Sequence, residues 1–349
     1  MRCYKILPLI ITVLTMAACE RYIYLDIGKE PEIIASGFLS TTDSVHTVIV
    51  TKTSTPEKKI ATVNEARLQC FVNGELAGET DSLSEYASYL SEKIRKMEFK
   101  ASFNPGDVVR IVIEADGLQA EVQEKVPPRM PLLSVDTTTV FIGDKGNNSA
   151  AKLEHRVNIK DLSGEDNYCR LTMNFTGRAV VEEILDTESE EYYPEVGEEL
   201  GRINNEKIEF DNSYEPVLNK RIDIAGDGEN NYYNNQYNIF TDAMFRDGTY
   251  SLKVLTRPYS SLTVPVWTYW PGSVNIRMSR KVSVRLFSMS RDAYCYMDNL
   301  QFDDSNLSGT YLFDDLSYPD NVKGGRGFIT MMSVSEYVTE LPDIITDRP

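Results

Sequence analysis

Alternation of apolar and polar residues with a period of two dominates the chain and predicts β-strands. The clearest unit covers residues 107–125, where this alternation continues on both sides of Asp116-Gly117. Because an Asp-Gly pair readily adopts the backbone of a two-residue hairpin turn, the segment predicts an antiparallel hairpin. The same pattern at Ala66–Val72, followed by Asn73-Gly74, predicts a second hairpin.

Other β-branched or alternating segments extend the strand prediction along the chain. They are Val45–Thr53, 134–142, 151–159, 168–175, 251–256, 281–287 and 328–334. Two segments differ from this pattern. Apolar residues in 82–95 keep approximate helical spacing, and Ser290 is placed to cap a helix that runs to Asp304. The sequence therefore predicts a mainly β protein with one or two short helices.

A proline-rich connector predicts two domains. The segment 126–131 contains three prolines, which cannot continue a central strand and which stiffen the chain. Residues 32–128 have the length and strand density of an immunoglobulin-like β-sandwich, and residues 132–349 are predicted to form a larger β-rich domain. The composition is that of a globular protein, since 42 % of residues are hydrophobic and 26 % are charged.

The first residues have the features of a bacterial lipoprotein signal. A basic start and an apolar run precede Met16-Ala17-Ala18-Cys19, which resembles a lipobox. The resemblance implies removal of residues 1–18, acylation of Cys19 and a lipid-anchored tether at 19–31. The expected location is the outer membrane, with the leaflet left open. An ordinary secretory signal is the alternative.

The charge of the chain limits the classes of partner. Its formal value is −17, and removal of residues 1–18, with Arg2 and Lys5 and no acid, makes it −19. An acidic surface repels polyanions, so nucleic acid is not expected as a partner.

Side chains suited to catalysis are scarce, and we predict no catalytic residue and no cofactor. His46 and His155 lie in predicted strands, where a hydrogen-bonded core histidine is the usual outcome. Cys70 and Cys169 alternate with apolar residues and are expected to be free core thiols. A disulfide between any two of Cys70, Cys169 and Cys295 remains the alternative. Since 53 acidic residues offer many carboxylate pairs, an envelope hydrolase remains an alternative function.

One polar segment is a weak calcium candidate. Asp223, Asp227 and Glu229 stand among glycines and offer hard oxygen ligands, but their spacing departs from that of an EF-hand. A polar turn is the more frequent outcome of such a pattern. No metal site is therefore predicted.

Two aromatic clusters provide the candidate residues for binding a ligand or partner. Flat rings stack on sugars and are enriched at protein interfaces, while neighbouring amides bond hydroxyl groups. Packing within the sandwich is the alternative for the same rings. The candidates are Tyr232, Tyr233 and Tyr237 in an asparagine-rich segment, and Trp267, Tyr269 and Trp270 before Pro271-Gly272.

Several short motifs follow one another along the chain after the lipobox. They are Asn104-Pro105-Gly106-Asp107, Phe245-Arg246-Asp247-Gly248, Val284-Arg285-Leu286-Phe287-Ser288-Met289-Ser290 and Asn321-Val322-Lys323-Gly324-Gly325-Arg326-Gly327-Phe328. Together they resemble the Bacteroidetes lipoprotein family named domain of unknown function 4249. The resemblance implies a cell-envelope lipoprotein associated with a TonB-dependent outer-membrane transporter, and it supplies no active-site residue.

The expected function is that of a non-enzymatic accessory or substrate-capturing partner of such a transporter. The first domain would be a spacer or docking module, and the second would carry the contact surface. A free-standing surface module that binds glycans or proteins, for example in adhesion, is the main alternative. The carboxylate-dependent hydrolase is the second.

Overall fold

A computed structural model describes residues 30–54, 60–89, 92–142, 150–185, 194–219, 235–266, 274–304 and 318–348. The described chain is mainly β, as predicted, with one α-helix, α1 (Arg291–Asp304). No helix in these ranges has the length and apolarity needed to cross a membrane. The strands are β1 Ile33–Ser40, β2 Val45–Thr53, β3 Ile60–Ala61, β4 Ala66–Val72, β5 Glu75–Thr80, β6 Leu83–Tyr89, β7 Glu92–Lys100, β8 Val108–Ala115, β9 Leu118–Lys125, β10 Leu132–Ile142, β11 Ala150–Lys160, β12 Tyr168–Ile184, β13 Glu199–Ile208, β14 Ile239–Thr241, β15 Thr249–Thr256, β16 Val274–Met289 and β17 Gly325–Arg348.

The N-terminal part is a sandwich of two sheets. One sheet has the order β5-β4-β8-β9, and its inner face packs on β1, β2 and β7. Both predicted hairpins are confirmed: β4 pairs with β5 and β8 pairs with β9. At the second turn, Asp116 has φ 47° and Gly117 has φ 81°, the left-handed backbone that Asp-Gly was expected to supply.

The helix predicted at 82–95 is wrong. The described residues of this segment form the hairpin of β6 and β7, and β7 also pairs with β2. Tyr86 in this segment is 57 % exposed, whereas Met97 and Phe99 of β7, two residues apart, are both buried. Pairing with β2 therefore overrides the local helical spacing, since a strand needs to bury only alternate side chains.

The last strand, β17, connects the sheets of the two halves. Its first eight residues pair in parallel with β1, from Ile33↔Gly325 to Ser40↔Met332. From Ser333 onward it pairs antiparallel with β16 on its other side. The strand predicted at 328–334 is thus only a fraction of the real one, which has 24 residues. One ten-stranded sheet results, with the order β13-β12-β16-β17-β1-β2-β7-β6 along its main path.

Two glycines allow β1 and β17 to approach. Gly327 has φ +115°, and a Cβ there would lie 2.1 Å from the carbonyl oxygen of Ala35. At Gly325, a Cβ would lie 2.6 Å from the carbonyl oxygen of Ile33. Together with Gly324 at φ +76°, they explain the glycine-rich motif as a requirement of strand pairing.

The second half is also layered. A sheet with the order β10-β11-β15 packs on β12 and β16, and the buried residues between them include Val157, Leu171 and Leu286. The proline connector spans the short distance between the two cores, because Val126 is buried in the first and Met130 in the second. Met130 N donates to Ser288 Oγ at 2.9 Å, and Ser335 Oγ donates to Met130 O at 2.7 Å. The domain boundaries themselves stay a prediction.

Helix α1 follows Ser290, as predicted. Ser290 Oγ accepts a hydrogen bond from Ala293 N at 3.3 Å, which satisfies one free donor of the first turn. Tyr294 and Met297 are buried beneath the helix, and Tyr296 stacks on Phe328 of β17 with ring centroids 4.7 Å apart. The helix thus packs on the sheet where β17 changes partners.

The contact between Gly327 and Ala35 can be tested by matched substitutions. Gly327→Ala should lose about 3 kcal/mol of unfolding free energy, because it adds a backbone clash to the strain of positive φ. Gly74→Ala should lose only about 1 kcal/mol, since Gly74 has φ +89° but a Cβ added there would meet no atom within 4 Å. Urea unfolding measures both. Equal losses would contradict the proposed role of close strand approach.

Candidate functional site

Of the asparagine-rich aromatic cluster, Tyr237 is described, whereas Tyr232 and Tyr233 lie outside the described residues. Tyr237 is half-buried beside the apolar cluster under α1. Its backbone N–H donates to Gln301 Oε1 at 3.1 Å, and its ring lies 5.8 Å from the Arg170 guanidinium carbon. Desolvation lowers the pKa of Arg170. Tyr237 is therefore a packing residue that also faces a cation.

The amides near Tyr237 support the backbone. Asn235 is buried, and its side-chain nitrogen donates to the carbonyl oxygens of Leu218 and Ile239 at 2.8 and 2.7 Å. Its side-chain oxygen accepts from Ile239 N at 3.0 Å. Asn238 has φ 53° and accepts from Asn212 Nδ2 at 2.8 Å. These two amides thus hold the turn into β14 and are engaged within the protein.

Two adjoining cavities form a groove along the segment 207–210. One, of about 350 Å³, has Phe175 and Leu262 among its lining and Arg257 at its border. The other, of about 290 Å³, is bordered by amide side chains, among them Gln236. Lys207 and Glu209 border both cavities. The groove combines an apolar floor with charges of both signs, and the end of the asparagine-rich segment borders it through Asn235, Gln236 and Asn238.

The larger cavity of about 760 Å³ lies in the N-terminal sandwich, and sequence reasoning missed it. Two charged residues at its border, Arg67 and Asp116, are paired within the protein. Arg67 lies 2.7 Å from Glu79, and the Asp116 carboxylate accepts from Lys52 Nζ at 2.6 Å and from Glu65 N at 3.0 Å. Partnering with Lys52 lowers the Asp116 pKa, although burial opposes this shift. The contacts of Asp116 hold the Asp116-Gly117 hairpin turn in place.

Trp267, Tyr269 and Trp270 lie outside the described residues, but the ends of their segment are defined. Val266 and Val274 both pack in one apolar cluster with Ile276 and Met278. These flanking residues lie at the end of the sheet where Ile184, Val274 and Arg348 are paired. We call this end of the sheet the far end. Cys19, the predicted lipidation site, and the calcium candidates Asp223, Asp227 and Glu229 also lie outside the described residues.

Exposed apolar side chains occur at the far end. Leu185 is 50 % exposed, Val196 is 65 % exposed and Ile345 is 57 % exposed. Leu185 directly follows the last residue of β12, and Ile345 pairs with Arg277 near the start of β16. The turn that contains Val196 contacts the same region, since Gly197 N donates to Val181 O at 2.8 Å. Such grouping is typical of an interaction surface.

His155 is a buried, neutral residue. The hydroxyl of Thr256 donates its proton to Arg257 O, so its oxygen accepts the hydrogen bond from His155 Nε2–H at 2.8 Å. The other ring nitrogen, His155 Nδ1, therefore accepts from Thr137 Oγ1 at 3.0 Å. Desolvation lowers the pKa of His155 to about 4. The predicted core histidine is thus confirmed, with both ring nitrogens engaged.

His46 is buried as well. Nε2 donates to Ala101 O at 3.1 Å, and the ring stacks on Phe103 with centroids 5.1 Å apart. Burial lowers its pKa in spite of this hydrogen bond. Each histidine therefore serves packing in the folded state.

Cys70, Cys169 and Cys295 are free thiols, and the first two are buried on strand faces as predicted. Burial raises the pKa of Cys70 to about 11 and raises that of Cys169 as well. Because the thiolate is the reactive form, neither buried thiol is suited to act as a nucleophile at neutral pH.

A buried polar cluster explains the Phe245-Arg246-Asp247-Gly248 motif. Asn167 Nδ2 lies 2.9 Å from Asp161 Oδ1 and 3.0 Å from Asp242 Oδ2. Asp161 Oδ2 accepts from Asp247 N at 2.6 Å. Asp247 has φ 59°, so the motif forms a tight turn fixed by Asp161. Among the described residues, no group of three or more His, Cys, Asp or Glu side chains is placed to hold a metal ion.

The sequence family can be assigned from a match that covers most of the chain. The family described as "Domain of unknown function (DUF4249)" matches residues 21–337. The chain belongs to this family. The predicted membership in this family is thereby confirmed, and two of the motifs, 245–248 and 321–328, are explained by a tight turn and by strand pairing. No curated protein matches the chain.

Solved structures show only weak similarity. The Streptococcus agalactiae AgI/II polypeptide BspA C-terminal domain is 8 % identical, with 72 % of this chain and 95 % of that chain covered and a TM-score of 0.15. The C-terminal domain of the Streptococcus pyogenes antigen I/II-family protein AspA is 8 % identical, with coverages of 73 % and 95 % and the same TM-score. At this TM-score neither similarity carries an argument about this chain.

Burial of neutral His155 predicts acid sensitivity. Its pKa is near 4 when folded and 6.5 when unfolded, so the stability that it contributes is complete above pH 6.5 and falls as the pH drops toward 4. Between pH 7 and pH 5 this loss should be about 2 kcal/mol. Urea unfolding of wild type and His155→Gln at both pH values measures it. An identical pH dependence in the two proteins would contradict the assignment.

Proposed function

We propose that this DUF4249 protein is a non-enzymatic, outer-membrane-anchored lipoprotein that acts as an accessory or substrate-capturing partner of a TonB-dependent transporter. The lipobox-like Met16-Ala17-Ala18-Cys19 supports the anchor, with Cys19 as the acylated residue. The resemblance to Bacteroidetes envelope lipoproteins supports the transporter as partner. The leaflet of the membrane is left open.

The arrangement of β17 is the observation that carries the proposal. The tether precedes β1, and Ile33 of β1 pairs with Gly325 at the start of β17. The far end lies at Arg348, the last residue of the same strand. At about 3.3 Å per residue, 24 residues in one strand separate the two ends by up to roughly 75 Å. An anchor at one end therefore suits a contact surface at the other.

Exposed side chains at the far end support a protein contact there. Leu185, Val196 and Ile345 are each at least half exposed, which leaves apolar area available for burial by a partner. The interior histidines and buried thiols are engaged in packing, which is consistent with binding as the main activity. A contact surface in the second half agrees with the division of roles expected from the sequence.

Co-purification from membranes tests this function. A C-terminally tagged chain should recover a TonB-dependent barrel after gentle detergent extraction and crosslinking of the native outer membrane. Recovery of the chain without a barrel would contradict the transporter role and direct attention to the free-standing binding module.

Substitutions at the far end should separate binding from folding. The double variant Leu185→Gln/Ile345→Gln should reduce barrel recovery about fivefold or more, while its thermal unfolding stays close to that of wild type. Leu76→Gln is the matched control, because Leu76 is 51 % exposed but lies in β5 of the N-terminal sandwich. Equal recovery with the double variant and the control would place the contact elsewhere.

A further inference from the structure

Strand β10 forms an open sheet edge that is unusually poor in charge. It ends the sheet β10-β11-β15, and no described residue pairs with its outer side. Its residues are mostly β-branched, and its one charged residue, Asp136, is held by Asn158 Nδ2 at 2.8 Å. The edge strand β13, in contrast, carries Glu199, Arg202, Glu206 and Lys207. Native edges are commonly protected by such charges, and β10 has little of this protection.

Hydrogen bonding across the sheet identifies the free backbone groups. Leu255 of β15 exchanges both backbone hydrogen bonds with Asp211, on the side away from β11. Its partner Glu154 therefore directs its N–H and C=O toward Thr138 of β10. Since consecutive residues alternate in direction, the groups facing the open side belong to Val135, Thr137, Thr139 and Phe141.

The side chains of these four residues lie on one face. Thr137 Oγ1 contacts buried His155, which assigns the face to the interior side of the sheet. From Thr137 onward no described residue covers much of this face, since Thr137 and Thr139 are exposed and Phe141 is 73 % exposed. Asp136 lies on the opposite face, next to Asn158. An added strand would thus meet apolar and hydroxyl-bearing side chains on one face and a carboxylate on the other.

The net charge of the protein favours one class of added strand at this edge over another. A second copy would bring another formal charge of −17 to the interface. A cationic segment is instead attracted by the field of the acidic protein and can place a basic side chain next to Asp136. Backbone pairing needs no particular sequence, so the pattern of side chains decides the partner.

We propose that β10 is a docking edge for an extended segment of a partner protein in which apolar or β-branched residues alternate with lysine or arginine. The segment adds as a fourth strand beside β10 and pairs with the backbone of Val135, Thr137, Thr139 and Phe141. This inference rests on the proposed accessory function for the identity of its partner. The predicted chemistry of the partner segment depends only on the backbone and side chains of β10.

Hydrogen exchange of the full chain, read at single amides, tests the edge. The probe is a capped peptide of nine residues in which valine or threonine alternates with lysine. Without peptide, the amides of Val135, Thr137, Thr139 and Phe141 should exchange fast, whereas those of Asp136 and Thr138 are protected. Saturating peptide should slow the first group about tenfold or more. No slowing would overturn the proposal.

Two controls define the partner's chemistry. A peptide with glutamate in place of lysine should give no slowing, and equal protection by it would overturn the basic pattern. Protection that rises with protein concentration in the absence of peptide would show that a second copy occupies the edge, which also overturns the proposal.

A proline substitution removes one edge donor. Thr139→Pro deletes an N–H that faces the open side, so it should abolish the peptide effect at neighbouring amides while unfolding changes little. Thr139→Ala keeps the N–H and should retain the effect. Loss of peptide protection in both variants would overturn the backbone-pairing mechanism.

Membrane pull-downs separate this inference from the proposed function. If wild type recovers the barrel and Thr139→Pro recovers it equally, the edge is not the docking site although the accessory function holds. If wild type recovers no barrel but the lysine peptide protects the four amides, the edge inference stands and the transporter role fails.

Discussion

Continuous hydrogen bonding along β17 is the constraint on which the described architecture depends. The strand pairs with β1 over its first third and with β16 over the rest, so each core uses a different part of it. Ile329 and Met331 are buried in the first core, and Leu341 is buried in the second. Loss of pairing with β1 or with β16 would expose apolar surface in the corresponding core and would leave that neighbouring strand unpaired on one side. The glycines at its start follow from this requirement, because only residues without a Cβ allow the parallel contact with β1.

Most interior polar groups serve this architecture. Asn235 holds the turn into β14, Asp161 fixes the turn at Asp247, and Arg280 donates to the carbonyl oxygens of Tyr259, Leu262 and Pro342. Buried polar groups must be hydrogen-bonded, so such contacts are expected wherever loops cross the sheets. Among the described residues, surfaces open to interaction include the groove beside Lys207, the exposed residues of the far end and the edge of β10. The proposed role as a docking lipoprotein uses the last two.

Local patterns in the sequence predicted what depends on local physics. The hairpins at Asn73-Gly74 and Asp116-Gly117 and the helix after Ser290 were predictable, because turn backbone and capping are properties of a few adjacent residues. The wrong helix prediction at 82–95 and the underestimated length of β17 have one cause. Pairing of β7 with β2, and of β17 with β1, joins residues far apart in the chain, and no local period encodes it. The position of Tyr237 beside α1 and the open edge of β10 likewise became evident only from the structure.

The separation of the two ends of β17 tests the account most directly. Pulsed electron resonance between spin labels at Arg326→Cys and Ile345→Cys would report the length of the strand. Cys295 and the N-terminal cysteines would be replaced by serine so that they are not labelled, whereas Cys70 and Cys169 are buried and can be kept. A continuous strand predicts one narrow distance distribution at about 50–60 Å. A broad distribution, or a main distance below about 40 Å, would mean that the two halves are hinged or folded together, and it would contradict an anchor and a contact surface held at opposite ends.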